Sequence, residues 1–142
     1  MPHEYKTYHI ILSTENRTAQ INDSVKMMLL PVISQWINQH IGYCHIANGT
    51  HDHIHILCDI AHDVLPSQSL KSIKKHSQQW INDNMDLESP LQWAHGGLCF
   101  PVQKQHTPQM FRTIRNQDEQ HEVISFTEEC EIFFKKGHIP AI

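Results

Sequence analysis

The segment Thr50-His51-Asp52-His53-Ile54-His55-Ile56-Leu57 concentrates side chains that can do chemistry. In an extended strand, successive side chains point to opposite faces. His51, His53 and His55 then share one face, provided the strand reaches that far, while Ile54 and Ile56 point into a core. Two imidazoles two residues apart on a rigid strand can hold one divalent metal from the same side. Histidine is abundant in this chain, with 13 against 11 for Lys and Arg together, so His-x-His also arises by chance. At this stage a solvated polar face on an edge strand stands beside the metal reading.

A second group lies near the C-terminal end. Residues placed at helical steps put Met110, Ile114, Gln117 and His121 on one face, with Thr113 at its margin. Arg112, Arg115, Asn116 and Glu119 fall on the other side. An amide and an imidazole in an apolar stripe need partners if they are buried. Gln117 either bonds a neighbouring backbone or completes a metal site with the strand histidines. Lys71, Lys74 and Lys75 share one face of an earlier helix. They are either a solvated face or a ridge of phosphate contacts.

The elements that must position these groups are legible in outline. TYHIILST, residues 7–14, reads as a strand rich in β-branched and aromatic types. A helix follows over 22–40, capped by Asn22 or Asp23, with Pro31 predicting a kink or a late start. Gly42 ends it. Strands over 43–48 and 53–60 flank a turn at Asn48-Gly49-Thr50 and form a hairpin. Pro66 and Ser67 open a helix over 68–84, and a strand covers 98–102. Thr107-Pro108 starts a third helix running to 121, with Thr107 as its cap. Ser125 and Glu128 form a capping box for a last helix, 126–136. The order β-α-β-β-α-β, then α-α, predicts an α+β, ferredoxin-like antiparallel sheet with helices on one face and C-terminal helices added. The other sheet face is expected to be free for a partner, a ligand or a second subunit.

The chain has 142 residues, which is one domain, with a core over 5–122. Its formal charge is −4, and full protonation of the histidines would carry it to +9, mostly between pH ~5 and ~8. An acidic balance is not that of an obvious nucleic-acid binder. No apolar run is long enough to span a membrane, and the N-terminal segment lacks a signal-peptide layout. Cys44, Cys58, Cys99 and Cys130 form no CxxC pair and read as reduced core thiols of a cytoplasmic protein.

Several blocks together resemble the small single-tyrosine HUH transposases of minimal bacterial insertion sequences. They are Ser13-Thr14 with Arg17, then Asp52-His53-Ile54-His55-Ile56-Leu57, then Ile73-Lys74 with Ser77. Trp93, Gly96-Gly97, Ile114-Arg115-Asn116-Gln117-Asp118-Glu119-Gln120-His121 and Ser125-Phe126-Thr127-Glu128-Glu129 follow. The resemblance implies the ferredoxin-like fold and a homodimer that acts on single-stranded or hairpin DNA. It implies a Mg²⁺ or Mn²⁺ ion held by His53, His55 and Gln117, with His51 and His121 as candidate neighbours. If DNA binds, Arg17 and the ridge of Lys71, Lys74 and Lys75 are the candidate phosphate contacts. The family's nucleophilic tyrosine stands one helical turn before the Gln, where this chain has Thr113, and no tyrosine follows Tyr43. Glu15 stands where the family commonly has a basic residue. The expectation is a protein that binds hairpin DNA and metal with strand nicking and joining impaired. Two alternatives stay open: another nucleophile or metal-activated water, with Tyr5, Tyr8 and Tyr43 as the remaining phenols, or a metal-binding dimeric module that has left DNA behind.

Overall fold

A computed structural model gives the fold, described over residues 4–116. The strands are β1 (Tyr5–Ser13), β2 (Gly42–Gly49), β3 (His53–Ala61) and β4 (Leu98–Val102). The helices are α1 (Asp23–His40), α2 (Pro66–Asn84) and α3 (Thr107–Arg115). The sheet order is β2-β3-β1-β4, and every neighbouring pair is antiparallel. This is the expected ferredoxin-like order. The predicted 126–136 helix, the end of the 107–121 helix and Cys130 lie outside the described residues.

Alternation along the strands builds two apolar layers. Ile10, Leu12, Ile54, Ile56, Cys58 and Cys99 turn toward α1 and α2, against Leu29, Ile33, Ile37, Leu70 and Ile73. Ile11, Leu57, Phe100 and Val102 turn the other way. That second face is not free, contrary to the sequence-based expectation. Met110 and Ile114, one turn apart on α3, cover it.

Local chemistry explains most element ends. Asn22 Oδ1 accepts from Val25 N at 2.9 Å and caps α1. Pro31 lies within α1, which is assigned as a single helix over 23–40, so it does not delay the helix start. Thr107 is not the cap of α3. A 3₁₀ turn over Lys104–His106 runs straight into the helix, so Thr107 is already helical and His106 precedes it without a side-chain cap. The hairpin turn also sits later than expected. β2 continues through Gly49, and Thr50 N donates to His53 O across the tight connection. A side chain at Gly49 would collide with that His53 carbonyl. β2 carries a bulge between Cys44 and Ile46, which reverses the facing of the residues after it.

Cys44, Cys58 and Cys99 are buried and free, as expected of core thiols. Burial pushes the Cys99 thiol from 9.0 up to about 12. Between pH ~9 and ~12 the folded chain therefore holds a proton that the unfolded chain has lost, and stability falls as pH rises, by at most roughly 1.4 kcal/mol per unit. Urea melts of the wild type and Cys99→Ala across this window check the prediction. The wild type should lose stability more steeply, and equal slopes would refute it. Among the described residues no helix is long and apolar enough to cross a membrane.

Candidate metal and nucleic-acid site

His53 and His55 lie on β3, which is an interior strand of the sheet. They are 1% and 0% exposed, so the reading of a solvated edge face is overturned. Both share the sheet face covered by α3, and their ring centroids are 5.2 Å apart, edge to face. Ile54 and Ile56 point to the opposite layer, as the alternation requires.

The residue before the pair fixes one ring. His53 Nδ1 lies 2.6 Å from Asp52 Oδ1. An ionised carboxylate only accepts, so this nitrogen carries a proton, and in the neutral ring Nε2 carries the lone pair. Thr50 Oγ1 donates to the same carboxylate oxygen at 3.2 Å. Arg17 reaches its other oxygen at 3.3 Å. Burial pushes the Asp52 carboxyl up, but the hydrogen bond and charge of His53, with Arg17 and Thr50, outweigh this and hold it below the usual range. A proton-bearing Nδ1 backed by a carboxylate, with Nε2 left as the donor atom, is the arrangement that metal-binding imidazoles use. The donor set therefore fits a divalent cation. Among the described residues no group of three or more His, Cys, Asp or Glu side chains is placed to share an ion. Gln117 and His121 lie outside the described residues.

The connection between β1 and α1 locks the turn that carries Asp52 at two points. Thr14 N donates to Asp52 O at 2.9 Å, and Ile21 N to His51 O at 2.9 Å. Between them Asn16 and Arg17 adopt φ of 54° and 53°. Consecutive left-handed residues without glycine are strained, and such strain gathers at functional sites. His51 itself is exposed in the turn and precedes the strand, so it does not share the strand face of His53 and His55.

The end of α3 is anchored beside the pair. Asn48 lies opposite His55 on β2, and its Nδ2 donates to Ile114 O at 3.0 Å and Arg115 O at 3.1 Å. Thr113 is half-buried, and its hydroxyl donates back to Gln109 O at 3.0 Å. Asn48→Ala should cost about 1–2 kcal/mol by removing both bonds to the last carbonyls of α3. Urea denaturation reads the loss, and a change within error would show that the anchor carries nothing.

The other phenols are far from the histidines. Tyr43 lies opposite Asp59, six residues along β3 from His53, and Tyr5 lies opposite Ala61, eight along. At roughly 3.3 Å per residue these are ~20 Å and ~26 Å away. Tyr8 packs with the α1/α2 layer on the opposite face.

The three lysines on α2 separate in role. Lys71 and Lys75 are exposed. Lys74 Nζ donates to Ala94 O at 2.6 Å and Gly96 O at 2.7 Å, which pins the loop before β4. Burial pushes its ammonium below the usual lysine value. Gly96 holds φ at 80°, a backbone that glycine adopts without strain. Sequence reasoning missed His9 altogether. It is fully buried on β1 and lies 2.8 Å from His55. The one available signal was a histidine within an apolar strand.

A family model described as "Transposase IS200 like" matches residues 3–117. The chain belongs to the IS200-like transposase family. Solved structures of low identity agree in fold. One is a transposase-assigned protein from Deinococcus radiodurans R1, 19% identical, with a TM-score of 0.64. That match covers 80% of this chain and 92% of the other. A REP-associated tyrosine transposase, solved bound to a REP hairpin, is 14% identical with a TM-score of 0.64, covering 87% of this chain and 73% of its own. No curated protein matches the chain. In this transposase fold the buried histidines, the strained Arg17 turn and the end of α3 converge on one end of the sheet.

Proposed function

We propose that this transposase-family protein binds single-stranded or hairpin DNA at a divalent-metal HUH site, as a homodimer, and that its strand nicking is impaired. The observation that carries the reading is the buried His53–His55 pair, with His53 Nδ1 held against the Asp52 carboxylate. His53, His55 and Gln117 would hold Mg²⁺ or Mn²⁺, which when bound supplies Lewis-acid polarisation of a scissile phosphate. The hairpin bound by the REP-associated relative supports the choice of nucleic acid.

The chain's own residues divide the remaining work. Arg17, Lys71 and Lys75 offer charge to the DNA backbone, the sequence-independent part of such binding. Lys74 adds charge from a fixed position, since its ammonium already holds two carbonyls. Thr113 occupies the family's nucleophile position. Its alcohol is far less acidic than a phenol of pKa ~10 and needs a base to attack phosphate. Among the described residues its hydroxyl bonds only the Gln109 backbone carbonyl, which accepts and does not activate it.

Labelled hairpin DNA incubated with the protein and Mn²⁺ tests this on native and denaturing gels. The expected result is salt-sensitive binding with no covalent adduct. Cleavage without an adduct would move the reading to activated water. Absence of salt-sensitive binding to every hairpin would leave the metal-binding module. Sedimentation of the free protein tests the dimer, and a monomer would remove that part.

A further inference from the structure

We infer that His9 is a positioning residue that sets which nitrogen of His55 faces a metal. The inference rests on the metal reading above and adds a residue to it. His9 lies opposite Leu57, and His55 opposite Ile11, so the two histidines are diagonal neighbours on one sheet face. Aromatic rings reach each other across such a diagonal. His9 Nε2 and His55 Nδ1 are 2.8 Å apart, and the rings stack at 5.1 Å. The Phe100 ring lies 6.0 Å from that of His9. A polar ring costs free energy among these apolar neighbours unless it is hydrogen-bonded.

Between two neutral imidazoles one nitrogen donates and the other accepts. If His9 Nε2 donates, the proton of His55 must sit on its Nε2, and that atom has no lone pair for a cation. If His55 Nδ1 donates, Nε2 holds the lone pair and the proton of His9 sits on its Nδ1. Only the second arrangement serves a metal. It also repeats the pattern at His53, where Asp52 accepts from Nδ1. Each ligand histidine then has its own acceptor behind it, a carboxylate for His53 and an imidazole for His55. A purely structural hydrogen bond is satisfied by either arrangement, so the position of the proton separates the two roles.

Long-range ¹H–¹⁵N correlation on the labelled full chain at mildly alkaline pH reads the proton directly. The expected result is His55 with its proton on Nδ1. A proton on Nε2 overturns the inference. Mn²⁺ titration of the wild type, His9→Leu, His9→Gln and His53→Ala supplies the second readout. His9→Leu should weaken Mn²⁺ binding by about 10–100-fold, the usual loss when an outer partner of a ligand is removed. His9→Gln keeps an acceptor oxygen and should recover most of that loss. His9→Leu binding as tightly as the wild type overturns the role of His9 while His53→Ala still fails to bind. A wild type that does not bind Mn²⁺, or His53→Ala that binds equally well, overturns the metal reading and the role of His9 with it. The nitrogen spectra need no variant, so they decide the matter even if His9→Leu fails to fold.

Discussion

Thr113→Tyr is expected to form a covalent protein–DNA adduct on a cognate hairpin with Mn²⁺, where the wild type forms none. In the sequence residue 113 stands four positions before Gln117, the spacing of the family's nucleophile and its metal-binding Gln. Asn48 fixes the end of this helix beside His55, so the backbone that would carry a phenol is already placed. A phenol with pKa ~10 ionises far more readily than an alcohol. Loss of a covalent nucleophile costs on the order of 10⁶ in rate in hydrolases that depend on one. Even partial restoration would therefore stand clear of any surface substitution. Thr113→Phe should form no adduct, which separates the hydroxyl from the ring. An adduct in the wild type that disappears in Thr113→Ala would show that the threonine is itself the nucleophile. No adduct with Thr113→Tyr on a hairpin that binds would show that the rest of the site is not preserved.

Phe100→Ala is expected to cost about 3–5 kcal/mol, the usual loss for an aromatic removed from a packed core. It should also weaken Mn²⁺ binding out of proportion to that loss. Phe100 is fully buried and packs in the layer where Leu57, Met110 and Ile114 join α3 to the sheet. It also lies beside His9, the partner of His55. Leu29→Ala is the control. Leu29 is equally buried but belongs to the α1/α2 layer. It should cost about 2–5 kcal/mol and leave Mn²⁺ affinity nearly unchanged at temperatures where both variants are folded. Equal effects of both variants on Mn²⁺ would show that the α3 layer has no special hold on the site.

Much of this was legible in the chain. The period-2 runs and the proline and asparagine stops named the strands and the first two helices, because these signals act within a few residues. The alternation also assigned Ile54 and Ile56 to a core and set His53 and His55 together on the other side. The standing of that other side was not legible. Whether β3 is an edge or an interior strand depends on pairing with β1, whose partner residues lie 40 or more positions away. His9 escaped notice for the same reason, since His9 and His55 are 46 residues apart and meet only through the strand register.

The sequence by itself determined the element order, the apolar layer against α1 and α2, and the residue types that a metal or a phosphate would need. Tertiary structure alone decided that α3 covers the second face, that Lys74 holds a loop, and that Asp52, Arg17 and His9 stand behind the two histidines. The bulge in β2 shows why. One extra residue between Cys44 and Ile46 reverses the facing of everything after it, and so brings Asn48 to the end of α3. Local propensity sets which way a chain bends, but the face a side chain takes is set by register, and register is fixed only when distant strands pair.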